Sequence, residues 1–251
     1  MPMRPSPWPL WIAHRGAGKL APENTLAAFR LGAQHGYTAF ECDVKLSADG
    51  VPFLLHDATL DRTTNAQGPA NALTWSELSR LDAGGWHSGH HAGEPIASFA
   101  AIATFCLAND HALDIEIKPS PGCERQTGEV VALEAARRWA GRDVPPLLSS
   151  FDPEALEGAR AAAPQLPRAL LIDSLVDGWF ERALQLGAMA VVANYRLYDA
   201  AMVRRLHDAG LWAMAYTVND EAAARALLAI GLDGLCTDAV DRFLPSRGRQ
   251  V

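Results

Sequence analysis

Short β-like runs alternating with helical stretches about eight times over 251 residues predict an α/β chain closed as a (β/α)8 TIM-type barrel, with a small insertion after the second strand. Strand, helix, strand in repetition means parallel strands joined by crossovers. The length fits one barrel folded as a single unit, with the insertion at about residues 57–96. An open doubly wound sheet is the competing architecture, and eight repeats at this length favour closure.

The strand segments are 10–14, 39–44, 113–117, 147–150, 169–172, 190–193, 212–216 and 234–237. Periodic helical stretches lie between them, such as 24–36, 125–141, 153–163, 177–187, 200–210 and 220–231. Several close on a glycine (Gly36, Gly187, Gly210, Gly231), where a left-handed residue ends a helix. Asn24 is the expected N-cap of the first helix, and Glu23 a first-turn residue within reach of the strand ends. From Pro52 to Pro95 the rhythm breaks, and an ordered excursion of about forty residues usually carries function or covers a site.

Hydrophobic residues make up 49% of the chain and charged residues 20%, which suits a globular core and excludes disorder. A formal charge of −7 argues against a nucleic-acid surface, though not against a small anionic substrate. Cys42, Cys106, Cys123 and Cys236 lack metal-site spacing and are expected to be reduced, mostly core thiols. The segment "MPMRPSPWPLWI" has too short an apolar run for a signal peptide, so cytoplasmic location is the default expectation.

The chemistry collects on the strands. Side-chain alternation puts Glu41 and Asp43 on one face of the second strand and Phe40, Cys42 and Val44 on the other. In "LDIEIKP" it puts Asp114, Glu116 and Lys118 together, opposite Leu113, Ile115 and Ile117. Carboxylates buried side by side need compensating cations. Oxygen-only ligands favour Mg²⁺ or Ca²⁺, so Glu41, Asp43 and Glu116 are the expected ligands of a divalent metal. His14 and Arg15 end the first strand, Lys118 ends the third and His56 follows the second, and in a barrel such strand ends share one rim. Singly, each residue has an ordinary structural reading. Together on three strands they point to a reaction site. His87, His90 and His91 in "WHSGHH" lack nearby carboxylate or cysteine partners and fit a solvated loop.

At these residues the sequence resembles the glycerophosphodiester phosphodiesterase family. The matching stretches are "HRGAGKLAPENTLAAF" from His14, "ECDVKLSADGVPFLLHDATLDRTTN" from Glu41, "DIEIKP" from Asp114, "SSF" at Ser149, "YTVN" at Tyr216 and "TDAVD" at Thr237. The resemblance implies a TIM-type barrel that hydrolyses glycerophosphodiesters to sn-glycerol 3-phosphate and an alcohol with the help of a divalent metal. It implies His14 and His56 as the acid/base pair, Glu41, Asp43 and Glu116 as metal ligands, and Arg15 and Lys118 as phosphate contacts. Many members carry tryptophan where this chain has Tyr216, a substrate-binding position on the alcohol side. The exit of the insertion, "PIASF", also departs from the family pattern.

One histidine is expected to take a proton from the nucleophile and the other to protonate the leaving alkoxide. Either water or the glycerol 2-hydroxyl serves as nucleophile in this scheme. The expected partner is a small-molecule glycerophosphodiester, without nucleic acid or stable membrane association. A phospholipase-like or cyclic-phosphate-forming relative acting on phospholipid head groups is the alternative. It needs an apolar membrane-facing surface, which Trp75 and Trp86 offer without a basic amphipathic helix. A non-catalytic binding module is the third reading, and two acid/base groups are superfluous to it.

Overall fold

The structure, a computed structural model, describes residues 8–245. Residues 1–7, most of the proline-rich segment weighed as a signal peptide, lie outside the described residues. In chain order the elements are β1 (Trp11–Ala13), α1 (Leu26–Gln34), β2 (Ala39–Leu46), β3 (Pro52–Leu54), α2 (Trp75–Leu78), α3 (Phe99–Ala108), β4 (Ala112–Ile117), α4 (Glu124–Arg138), β5 (Leu147–Ser150), α5 (Pro153–Ala162), β6 (Arg168–Ile172), α6 (Trp179–Gln185), β7 (Ala190–Asn194), α7 (Ala200–Asp208), β8 (Trp212–Tyr216), α8 (Glu221–Ala229) and β9 (Gly234–Thr237).

The strands run in the order β1-β9-β8-β7-β6-β5-β4-β2, all parallel, and β1 pairs back onto β2 with Ala13 opposite Phe40. That pairing closes the eight-stranded barrel, so the (β/α)8 architecture expected from the alternation is the one the chain adopts. Strand parity sorts the core into two layers. Phe40, Cys42, Val44, Leu113, Ile115 and Ile117 face outward into the helix layer. Ile12, Ala39, Leu147, Ala169, Trp212 and Met214 fill the barrel interior.

Side-chain caps set the helix starts. Thr25, Ser98, Asp152, Asp199 and Asp220 each accept a backbone N–H from the first turn. The expected cap at Asn24 is thus corrected by one residue: Asn24 has φ +60 and is turned inward, and Thr25 accepts from Ala28. All four cysteines are free and three are buried. Among the described residues no helix is long and apolar enough to cross a membrane.

Three elements are absent from the expected segments: β3, α3 and, within the excursion, the single turn of α2. β3 folds back antiparallel on an extended β2, with Leu46 opposite Pro52, and opens the excursion. It is three residues long and begins with proline, too little for a periodic signal. α3 reads "FAAIATFCLA", small or apolar on every face, which hides the helical period although Phe99, Ile102, Ala103 and Cys106 are buried. Between them the excursion has its own apolar centre of Phe53, Leu55, Leu60, Leu78 and Ile96. Trp75 packs at its edge, whereas Trp86 stands 40% exposed with its indole N–H donated to Ala83 O.

α4 and α5 lie close enough for backbone contact. A Cβ on Gly128 would fall 1.9 Å from the Ala155 carbonyl oxygen, and one on Gly158 2.2 Å from that of Arg125. Propensity alone would make Gly128→Ala stabilising by about 1 kcal/mol, but here the overlap decides the sign. The expected result is a loss of about 1–3 kcal/mol, checked by urea denaturation of the variant beside the wild type.

Candidate active site

The C-terminal strand ends surround a cavity of about 370 Å³, lined by His14, Arg15, Glu41, His56, Glu116 and Lys118, with Tyr216 on the opposite wall. Asp43 lies beneath, fully buried. All eight side chains singled out from the sequence therefore sit in or directly under one space. The register between β2 and β4 sets Glu41 opposite Asp114 and Asp43 opposite Glu116. Since both strands turn these residues inward, oxygens of Glu41, Asp43 and Glu116 come within 4.8 Å of one another.

Two cations serve these acids. Arg15 donates its backbone N–H to Glu41 Oε2 (2.9 Å), sets Nε 3.2 Å from Asp43 Oδ2 and donates Nη1–H to Glu23 (2.9 Å). Lys118 Nζ reaches Glu116 Oε1 at 2.9 Å and Asp43 Oδ1 at 3.6 Å. Asn24 grips Asp43 twice, donating Nδ2–H to its carboxylate (2.7 Å) and accepting its backbone N–H (3.1 Å).

The compensation is incomplete. Burial, with Asp43 and Glu116 adding, pushes the Glu41 carboxyl well above the carboxylate range. Glu116 rises to about 7 through burial and then Asp43, and Asp114 to about 7 through burial, against the Ser149 hydroxyl that it accepts. Asp43 goes the other way: burial opposes its charge, but Arg15, Lys118 and His56 outweigh burial and hold it at about 2. Glu41 Oε1 and Asp43 Oδ1 are buried without a hydrogen-bond partner. Orphaned oxygens in a set of three carboxylates are what a hard divalent cation would occupy, so the residues present fit one.

Each imidazole is held by an aspartate. His14 Nδ1 lies 2.6 Å from Asp238 Oδ1, and His56 Nδ1 lies 2.7 Å from Asp57 Oδ1. An ionised carboxylate only accepts, so Nδ1 is the donor in both rings and Nε2 carries the lone pair when the ring is neutral. His14 Nε2 lies 3.8 Å from Glu41 Oε2. Asn219 secures Asp238 through Nδ2 (2.9 Å) and by accepting its backbone N–H (2.8 Å). Burial opposes the Asp238 charge, yet His14 and Asn219 keep its pKa at about 2. Gly18 (φ +57) allows the β1 loop to lie on this aspartate, since a Cβ there would meet Asp238 O at 2.1 Å.

On the other side Arg62 binds Asp57 (2.7 and 2.9 Å) and Glu23 (2.8 and 2.7 Å), joining His56 to Arg15 through a chain of charges. Burial lowers the His56 pKa, with Arg15 and Lys118 adding and Asp43 and Asp57 opposing. Glu23, expected in the first helical turn, instead precedes the Thr25 cap and reaches the rim through these two arginines. Asp57, Arg62, Asn219 and Asp238 were not singled out from the sequence. Asp57 and Arg62 follow His56 within "HDATLDR", and Asp238 lies within "TDAVD". His87, His90 and His91 stay away from the cavity; His87 Nε2 meets Lys19 O at 3.1 Å.

The chain has relatives among known proteins. The glycerophosphoryl diester phosphodiesterase family model matches residues 14–242. A glycerophosphodiester phosphodiesterase of Caldanaerobacter subterraneus is 32% identical over 234 residues, covering 91% of this chain and 93% of its own. Among solved structures, a phosphodiesterase of Oleispira antarctica in complex with the product sn-glycerol-3-phosphate superposes with a TM-score of 0.87 at 34% identity, covering 92% of this chain and 93% of that one. A glycerophosphodiester phosphodiesterase from Agrobacterium tumefaciens does so with a TM-score of 0.76 at 30% identity, over 93% and 97%. With the barrel closed, the acidic cluster under its rim and the match running almost from end to end, the chain belongs to the glycerophosphoryl diester phosphodiesterase family, a family of enzymes.

Proposed function

We propose that the protein hydrolyses small glycerophosphodiesters to sn-glycerol 3-phosphate and an alcohol, with Mg²⁺ or Ca²⁺ held by Glu41, Asp43 and Glu116. The observation that carries this reading is the meeting of three inward carboxylates with two imidazoles, each fixed at Nδ1 by an aspartate, around one cavity. The Oleispira antarctica relative in complex with sn-glycerol-3-phosphate supports the same product here.

A bound divalent cation would supply positive charge against the phosphate oxygens and lower the barrier as negative charge builds there. Arg15 and Lys118 add fixed positive charge from the cavity wall, already oriented by Asp43, Glu23 and Glu116, so little reorganisation accompanies the reaction. His56, neutral at pH 7 because burial lowers its pKa, suits the role of proton acceptor from the nucleophile. His14 lies between Asp238 and Glu41, and positive charge on its ring has a carboxyl group on either side. It suits the proton donor to the leaving alkoxide. Tyr216 borders the space into which that alcohol departs.

His14→Ala and His56→Ala should each lower kcat by about 10²-fold or more while the circular dichroism spectrum stays native. Near wild-type turnover in either variant removes that residue from the mechanism. A base must be deprotonated to act, so kcat/KM should rise with pH to a plateau through an apparent pKa below the ordinary histidine value of about 6.5, and this acidic limb should vanish in His56→Ala. A limb centred above that value assigns the base elsewhere.

Metal dependence has its own readouts. Chelation should abolish turnover and lower the melting temperature, and Mg²⁺ or Ca²⁺ should restore both, because a ligand that binds only the folded state stabilises it. Glu41→Gln and Glu116→Gln should raise the metal concentration for half-maximal stabilisation at least about tenfold. Titration curves that overlay the wild type contradict these ligand assignments.

A further inference from the structure

The geometry points to the alcohol side of the site as a receptor for an ammonium group, with Asp173 as the residue that selects it. This rests on the hydrolysis reading above and narrows the class of alcohol that leaves. Going round the barrel, the cavity wall changes character. The β1, β2 and β4 ends carry Arg15 and Lys118, whereas the wall from β5 to β9 contains no lysine, arginine or histidine among the described residues. That second wall presents Phe151, Asp173 and Tyr216.

These three residues form a corner. The Phe151 and Tyr216 rings have centroids 5.8 Å apart and planes at 89°, so they make two adjacent sides. The Tyr216 hydroxyl lies 3.1 Å from both Asp173 Oδ1 and Ile172 O and shares its one proton between them, while Asn194 Nδ2 donates to the same Asp173 oxygen at 2.9 Å. Both bonds to Asp173 fall on Oδ1, and Oδ2 has no hydrogen-bond partner among the described residues. Its neighbours are neutral, so the carboxylate is oriented without being cancelled.

An uncancelled carboxylate beside two aromatic groups at right angles favours a cationic head, quaternary or primary, over a neutral polyol of similar size. Of the two lysine and arginine side chains that line the cavity among the described residues, Lys118 has its Nζ 5.9 Å from the Phe151 centroid. Glu116 at 2.9 Å and Asp43 at 3.6 Å take up most of its field. Outward past Asp173 the cavity adjoins a groove that adds Asp177 and Glu181 to one lining cation, Arg182, with Glu181 itself facing Arg205 at 3.1 Å. A diester whose phosphate is negative and whose alcohol is positive thus meets complementary charge at both ends: Arg15 and Lys118 at the first, Asp173 at the second.

The test compares glycerophosphocholine with glycerophosphoglycerol, which share the glycerol phosphate and differ in the charge of the alcohol. Release of glycerol 3-phosphate from each gives a ratio of kcat/KM values. Wild type should favour the choline ester. Asp173→Asn keeps an oxygen for Tyr216 and Asn194 and removes only the charge, and it should lower the ratio about fivefold, the scale of a partly exposed cation site. Asp173→Glu should keep most of the preference. An unmoved ratio in Asp173→Asn overturns the inference. So does an equal fall for both substrates, which would make Asp173 a structural support for Tyr216. Wild type that hydrolyses neither ester fails the reaction itself, a different result from an active enzyme with an indifferent ratio.

Discussion

Everything at the rim follows from one register. β2 and β4 lie side by side with Glu41 opposite Asp114 and Asp43 opposite Glu116, all turned into the barrel. Four acids on two adjacent strands in a low-dielectric interior repel one another and lose solvation together. The neighbouring chain is arranged to answer this. Arg15 and Asn24 are two of only three non-glycine residues with positive φ among the described residues, at +50 and +60. Such a conformation costs of order 1–3 kcal/mol and persists only where other contacts fix it. Here it lets Arg15 turn both its backbone N–H and its guanidinium toward Glu41 and Asp43, and lets Asn24 bind Asp43 twice. Backbone strain at the β1 loop is thus tied to charge on β2.

How much of this could be read from the sequence depends on the range of the signal. Parity along a strand is local, so the inward set of Glu41, Asp43, Asp114 and Glu116 was legible from two short segments. The common rim was legible too, because a parallel barrel gathers every strand end at one face, and this brings His14, Arg15, His56 and Lys118 together. The partners of the imidazoles are another matter. His14 and Asp238 are 224 residues apart, and no periodicity links them before the last strand closes on the first. Asp57 was adjacent to His56 in plain view, but its role depends on Arg62 and Glu23, whose contacts need the folded excursion. Asn24 was misassigned for the opposite reason. Its local pattern fits a helix cap, and the stronger tertiary demand of the buried Asp43 carboxylate took its side chain, leaving the cap to Thr25.

The two imidazoles are supported by different parts of the molecule. His14 belongs to the barrel: its aspartate follows β9, and Asn219 after β8 holds that aspartate at both its carboxylate and its backbone. Such a site is as rigid as the strand ends that form it. His56 stands at the entrance to the excursion, between Leu55 and Leu60 of its separate apolar centre. Its Asp57 is fixed by Arg62, which is 44% exposed in its side chain and bridges across to Glu23 and so to Arg15.

This difference bears on what the excursion contributes. Exposed ion pairs are individually weak, but a bidentate chain with each carboxylate shared gains geometry that a single pair lacks. The chain His56–Asp57–Arg62–Glu23–Arg15 closes a loop between the excursion and the first strand, and the apolar centre around Leu60 and Leu78 fixes the segment that carries Arg62. The excursion can therefore bear on the cavity without placing a side chain of its own centre there: it holds the His56 imidazole at the cavity wall, where the barrel holds that of His14. In a (β/α)8 barrel the loops after the strands are free to vary while the strand ends are not. A pair of imidazoles divided between a strand end and an anchored loop combines a fixed member with one whose orientation depends on how firmly that loop is folded.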